Sequence, residues 1–254
     1  MAETLFISDL HLDPGRPEII DLAAEFLTTR AIHADALYIL GDLFEFWIGD
    51  DQPTTGLSPV LEAFETLKAQ QTPIFFIAGN RDFLLGESFS TRYGISRLAD
   101  STVIDLYGES TLIMHGDTLC TDDTRYQQLR SMLRAPKWQQ QFLALPLEER
   151  IRQALALREQ SEAETGAKES MIMDVNPTTV SDEMAKASVT RLIHGHTHRP
   201  AIHPLTIAGK PASRIVLGDW NEKTISFLSA QSGKISLVDP RIKPPQSSPL
   251  NVAK

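Results

Sequence analysis

The chain has 254 residues, and 24 lysines and arginines against 33 aspartates and glutamates leave a formal charge of −9. That balance excludes a broad basic face for nucleic acid, and the single cysteine, Cys120, excludes an intrachain disulfide or a zinc–thiolate cluster. With 42% hydrophobic residues the chain can bury a core without staples, and no apolar run reaches the roughly 20 residues of a membrane-spanning helix.

The start, Met1-Ala2-Glu3-Thr4, carries an acid and lacks the basic segment of a signal peptide, so a cytoplasmic location is expected. Leu5-Phe6-Ile7-Ser8 then reads as a strand that runs into Asp9 and His11. Ile19, Leu22, Ala23, Phe26 and Leu27 recur at helical spacing. Ala36-Leu37-Tyr38-Ile39-Leu40-Gly41 is a second strand and runs into Asp42. Leu57, Val60, Leu61, Phe64 and Leu67 mark the next helix, and Ile74-Phe75-Phe76-Ile77-Ala78-Gly79 runs into Asn80. Thr111-Leu112-Ile113-Met114 runs into His115-Gly116-Asp117. Apolar runs without polar alternation predict strands buried on both faces. Alternation of strand and helix predicts parallel crossovers, with ligands collecting beyond the carboxyl ends of the strands.

Residues 123–187 read instead as a run of helices. Asp123 is positioned to cap a helix through Tyr126, Leu129, Met132 and Leu133, and Trp138, Phe142 and Leu145 share a face of the next. Pro146 with Glu148-Glu149 opens another, and Asn176-Pro177 has the form of an N-cap followed by a first-turn proline. This segment is expected to be a helical cap inserted into a core of residues 1–122 and 188–240. Within it, Arg125, Arg130, Arg134, Lys137, Arg150, Arg152 and Arg158 supply positive charge suited to anionic lipid headgroups. Arg191-Leu192-Ile193-His194-Gly195 is again a strand and runs into His196 and His198. Arg214–Leu217, Thr224–Leu228 and Lys234–Val238 suggest a second, antiparallel sheet. The tail, 241–254, is rich in proline and serine and is expected not to pack.

Seven residues at these strand ends stand out: Asp9, His11, Asp42, Asn80, His115, His196 and His198. Residues two apart in an extended chain point the same way, so Asp9 with His11, and His196 with His198, are expected to face one site. The donor set is oxygen and imidazole without sulfur, which suits manganese, iron or zinc better than calcium. Seven ligands suit two ions sharing a carboxylate.

Asp9-x-His11, Gly41-Asp42, Gly79-Asn80, His115-Gly116-Asp117 and Gly195-His196-Thr197-His198 together resemble the motifs of the calcineurin-like metallophosphoesterases. The resemblance implies an α/β protein with a four-layer α/β/β/α fold and a dinuclear centre. One ion would take Asp9, His11, Asp42 and His198, and the other Asp42, Asn80, His115 and His196. Where many of these enzymes carry Gly-Asn-His-Glu, this chain has Gly79-Asn80-Arg81-Asp82. Arginine is no general acid at neutral pH, but its fork matches phosphate oxygens. A substrate with a stabilised leaving group, such as a diphosphate, is therefore favoured.

Longer segments are similar to the UDP-2,3-diacylglucosamine hydrolases of lipid A synthesis: Ile39 to Glu45 with Trp47 to Asp51, Gly79 to Gly86, His115 to Asp123, Ile172 to Asn176, and Ile193 to Pro200. This resemblance implies hydrolysis of a UDP-linked diacylated glucosamine lipid to UMP and a sugar 1-phosphate. It implies two Mn²⁺ ions per subunit and a peripheral position on the anionic cytoplasmic face of the bacterial inner membrane. Asn80, Arg81 and His115 would be catalytic, and Asn80, Arg81, Asp123, Ser161, Thr165, Lys168 and His196 would contact substrate. Thr165 falls where the family often has an asparagine. No nucleic acid and no partner protein are implied. A metal-dependent phosphodiesterase or nuclease of the same superfamily, and a metal-free scaffold of the same fold, are the alternatives.

Overall fold

The computed structural model describes residues 2–165, 174–243 and 246–249, with side chains described outside 158–165. Four parallel strands come first: β1 (Thr4–Ile7), β2 (Ala36–Ile39), β3 (Ile74–Phe76) and β4 (Ile95–Arg97). The helices α1 (Pro17–Thr29), α2 (Ser58–Ala69) and α3 (Glu87–Tyr93) connect them. A hairpin of β5 (Ser101–Leu106) and β6 (Glu109–Met114) follows. Then come α4 (Thr124–Leu133), α5 (Pro136–Leu143), α6 (Leu147–Thr165) and α7 (Pro177–Lys186). The chain closes with β7 (Arg191–His194), β8 (Ala201–Ile207), β9 (Lys210–Val216), β10 (Phe227–Gln231), β11 (Lys234–Val238) and β12 (Gln246–Pro249).

These strands form two sheets, in the orders β12-β11-β10-β1-β2-β3-β4 and β5-β6-β7-β9-β8. The three C-terminal runs do not make a sheet of their own. β10 pairs antiparallel with β1 and carries β11 into the first sheet, whereas β9 pairs parallel with β7 in the second. Both sheets need a strand apolar on the inward face, and local pattern alone does not distinguish them. The tail also differs from expectation. Gln246–Pro249 pairs with β11 as an edge strand, where a proline leaves no ladder bond unmet.

Period-two alternation builds the layers. On β1, Leu5 and Ile7 join the cluster under α1 and α2, while Phe6 faces the other way, toward Ile113, Ile193 and Ile215 of the second sheet. On β6 and β7, Leu112, Met114 and Leu192 turn outward onto Val180 and Met184 of α7. Three apolar seams thus separate four layers, helix, sheet, sheet and helix. Each fully buried side chain in a seam is worth about 1.5–3 kcal/mol. Asn176 caps α7 by accepting from the amides of Thr178 and Thr179 at 2.9 and 3.1 Å. Among the described residues no helix is long and apolar enough to cross a membrane.

Candidate metal centre

Because β1, β2 and β3 run parallel, as do β6 and β7, their carboxyl ends open on one edge of the double sheet. The segments just past those ends carry the seven candidate ligands, and the fold brings all seven together. Asp9, Asp42 and His115 are buried and form the floor, while His198 is exposed at the rim. His198 Nε2 lies 3.3 Å from Asp9 Oδ1 and 3.4 Å from His11 Nε2. Asp42 Oδ2 stands between two imidazoles, 3.8 Å from His11 Nε2 and 3.7 Å from His115 Nε2. Asn80 Oδ1 is 3.0 Å from both His115 Nε2 and His196 Nδ1.

The route to this convergence is not extended chain. Asp9, His11, Asp42, His196 and His198 all have positive φ, between 49° and 67°. After β1, β2 and β7 the chain breaks into the left-handed region at these ligands, a conformation that costs a residue with a Cβ about 1–2 kcal/mol. Cross-links hold the breaks. The amides of Asp9 and His11 donate to the carbonyls of Gly41 and Asp42, at 3.1 and 3.0 Å, and Trp220 N donates to Asp9 O at 3.1 Å. Asp82 accepts from Leu43 N at 2.7 Å and from Gly79 N at 2.8 Å, tying the Asp42 segment to the Asn80 segment. At Gly195 a Cβ would collide with the Asp9 carboxylate, so only glycine lets the second sheet come this close.

Neighbouring groups orient the ligands. His115 Nδ1 donates to the Leu40 carbonyl at 2.8 Å, which leaves Nε2 facing the centre. His11 Nδ1 lies 3.0 Å from Glu45 Oε2. Burial alone would lower the His11 imidazole, but Glu45, Asp42 and Asp9 outweigh it and raise it to about 9. Burial, reinforced by His115, pushes His196 down to about 4, so at neutral pH one of its ring nitrogens keeps its lone pair. Asp9 is buried, yet His198, His115 and His11 hold its carboxyl well below the usual range.

The cluster fits a cation. Asp9 Oδ1 is fully buried and accepts no hydrogen bond, although ring nitrogens crowd it. Such an acceptor is costly to bury without a positive partner. Asp9, His11 and His198 form one group with ligand atoms within 4.8 Å of one another, and Asp9, Asp42 and His115 form a second.

Beside the centre runs an apolar groove. It begins at Asn80 and Arg81 and passes between Trp47 and Ile48 on one side and Trp138, Phe142 and Leu155 on the other. Arg81 Nε is buried without a partner, and Nη1 is 3.9 Å from Glu45 Oε1. Asp123 caps α4 by accepting from Tyr126 N at 3.1 Å, while Tyr126 itself lines the groove. Ser161 and Thr165 sit on α6, but their side chains lie outside the described residues, as does Lys168 altogether.

Further groups brace these segments, Asp117 of the His115-Gly116-Asp117 motif among them. Asp117 is buried and accepts from Tyr126 Oη at 2.8 Å and Arg130 Nε at 2.6 Å. Arg134 donates to the carbonyls of Ala78 and Gly79 at 3.1 and 2.9 Å, just before Asn80. Arg150 is buried against Ile48 and Asp51. These three arginines of the cap therefore bind the core rather than present charge outward. Glu45 and Asp82 fall inside recognisable motifs, and spacing from the strand ends was the available clue to them.

Residues 3–200 match the calcineurin-like phosphoesterase family. The chain belongs to that family. A relative named UDP-2,3-diacylglucosamine hydrolase, from Xanthomonas axonopodis pv. citri (strain 306), is 52% identical over 227 residues, covering 87% of this chain and 92% of its own. One of the same name from Stenotrophomonas maltophilia (strain K279a) is 52% identical over 241 residues, covering 92% and 97%. Among solved structures, wild-type Vps29 complexed with Zn²⁺ from Entamoeba histolytica is similar with a TM-score of 0.48 at 13% identity, over 99% of both chains.

Proposed function

We propose that this phosphoesterase hydrolyses the diphosphate of UDP-2,3-diacylglucosamine, releasing UMP and 2,3-diacylglucosamine 1-phosphate. The observation that carries the reading is the apolar groove that starts at Asn80 and Arg81 and so places a long hydrocarbon seat directly beside the ligand cluster. The relatives' name supports the same substrate.

Two Mn²⁺ ions would be held by Asp9, His11, Asp42 and His198, and by Asp42, Asn80, His115 and His196. Bound there, divalent cations supply Lewis acidity, bringing the pKa of water toward neutral and offsetting charge on phosphoryl oxygens. The chain's own part is to place the phosphate. Arg81, with a buried Nε that lacks a partner, offers a fixed fork to its oxygens. Asn80 lines the same groove, with His196 Nδ1 3.0 Å from its Oδ1, and Asp42 orders the Arg81 backbone by accepting its amide at 2.9 Å. The departing phosphate is weakly basic, so no side chain need donate a proton to it.

The acyl chains would lie among Trp138, Phe142 and Leu155. Phe46, Ile151 and Leu155 line the groove and are exposed, and Met132 of α4 and Leu143 of α5 add exposed apolar surface. Such surface suits a peripheral position on the cytoplasmic face of the inner membrane, where the lipid would enter without crossing water. The test is direct. Protein loaded with Mn²⁺ and given UDP-2,3-diacylglucosamine releases UMP, and His196→Ala abolishes the release. Failure of the wild type, or undiminished release by the variant, overturns the reading. Reconstitution with Mn²⁺, Co²⁺, Mg²⁺ and Zn²⁺ in turn identifies the active ion.

A further inference from the structure

A second cavity opens at the other end of the candidate ligand set. Thr197, His198, Arg199, His203, Arg214 and Arg241 contribute to its wall. It shares no lining residue with the apolar groove. The groove meets the ligands at Asn80 and Arg81, and the cavity meets them at His198.

Two of its groups have hydrogen-bonding capacity to spare. The first is Arg214, half-buried on β9. Its Nη1 donates to His194 Nε2 at 3.2 Å. His194 Nδ1 lies 2.9 Å from the Gly195 carbonyl and so carries that ring's proton, which leaves Nε2 as an uncharged acceptor. The nearest acid of the cavity, Asp174, is engaged with Arg199 at 2.6 Å. Among the described residues no carboxylate forms an ion pair with Arg214. Directly across the sheet stands His203, its register partner on β8. Two basic side chains facing each other on a ladder are unfavourable unless something negative lies between. Consistent with that, burial and Arg214 hold the His203 imidazole below its usual range. The second group is the Thr197 hydroxyl, which is buried and has no hydrogen-bond partner. Both residues belong to the cavity wall, and an anionic, oxygen-rich ligand matches the donor chemistry of each.

A diphosphate that joins a lipid to a nucleotide needs two unlike seats with the reacting phosphate between them. The apolar groove fits the first. We propose that the cavity of Thr197 and Arg214 seats the nucleoside monophosphate half, with both residues binding its anionic or hydroxyl oxygens. The assignment rests on the UDP-lipid reading above, and its test separates the two.

Calorimetry with Mn²⁺-loaded protein and UMP is the primary measurement. Wild-type protein binds UMP more tightly than inorganic phosphate. Arg214→Met binds UMP about tenfold more weakly, as expected for loss of a charged hydrogen bond. Thr197→Val, nearly isosteric, loses several-fold and keeps the test decisive should Arg214→Met not fold. On the UDP-lipid, both variants raise KM by similar factors with kcat within about twofold. UMP affinity unchanged in a folded variant, or no tighter than phosphate in the wild type, overturns the assignment. Wild-type protein that binds UMP with these losses in the variants, yet leaves the UDP-lipid intact, sinks the proposed function and keeps the nucleotide seat. Cleavage of the lipid with UMP affinity indifferent to Arg214 does the reverse.

Discussion

Replacing Arg150 by methionine should loosen the groove while leaving the ligand cluster in place. Arg150 lies on α6 and is 2% exposed. Nη1 donates to the Ile48 carbonyl at 2.6 Å and to Asp51 Oδ1 at 2.8 Å, Nε donates to the Leu145 carbonyl at 3.1 Å, and Nη2 meets Asp51 Oδ2. The Asp51 side chain is 64% exposed, so that ion pair counts at the surface rate, roughly 0.2–1 kcal/mol. The two carbonyls lose a charged donor, at roughly 1.5–3 kcal/mol each. Methionine fills much of the volume and returns about 1–2 kcal/mol of apolar burial. A net loss of about 1–6 kcal/mol follows. Ile48 belongs to one wall of the groove, and Ile151 and Leu155 of α6 to the other. The link between the walls is what Arg150→Met removes. Urea unfolding should show the loss, KM for the acylated substrate should rise several-fold, and UMP affinity should stay unchanged. A stability change below about 1 kcal/mol with KM intact would refute the reasoning.

Gly49→Ala should be worse than an ordinary surface change, because Gly49 has φ +133° and a Cβ there meets Arg150 and Asp51; a shared midpoint shift with Arg150→Met, less than additive in the double variant, checks it by urea unfolding. In metal-free protein His11 titrates at about 9 and is protonated at pH 7, so Mn²⁺ binding must displace that proton. Calorimetry in buffers of different ionisation enthalpy should detect the release, and affinity should climb from pH 7 toward 9; a pH-independent affinity would count against it. Cys120 is buried, and burial with Asp117 nearby pushes its thiol up to about 12. Iodoacetamide at pH 8 should leave it intact in folded protein and modify it fully in guanidinium. The same upward shift favours the neutral thiol in the fold, so its contribution to stability is present below the unfolded value near 9 and is lost as pH rises toward 12.

The strand ends were legible because parallel strands buried on both faces leave unbroken apolar runs, and a polar residue after such a run marks an edge. That placed Asp9, Asp42, Asn80, His115 and His196 on one rim without any structure. The reason for pairing Asp9 with His11 was less secure. Extended geometry suggested it, whereas both residues adopt left-handed backbone, a choice enforced by the hydrogen bonds their amides donate to the carbonyls of Gly41 and Asp42 far along the chain. Sheet membership of β9, β10 and β11 was hidden for a similar reason. Each is a short apolar strand, and only tertiary packing decides which sheet it joins. The cap arginines illustrate a third limit. Charge on a helix reads as solvated until a buried acid such as Asp117, or a loop carbonyl such as that of Gly79, comes within reach.

Five strained backbone positions in one cluster also bear on the order of assembly. At about 1–2 kcal/mol each they amount to roughly 5–10 kcal/mol, comparable with the whole stability of a domain. Cross-strand amides and the three apolar seams hold them, and both belong to the polypeptide alone. The fold therefore commits part of its stability to holding the ligands in this arrangement, and a cation that binds the folded state gives some of it back. A chelator should lower the melting temperature of loaded protein, by an amount that grows with the affinity of the cation removed. Thermal stability then ranks the ions this centre prefers without any turnover being measured.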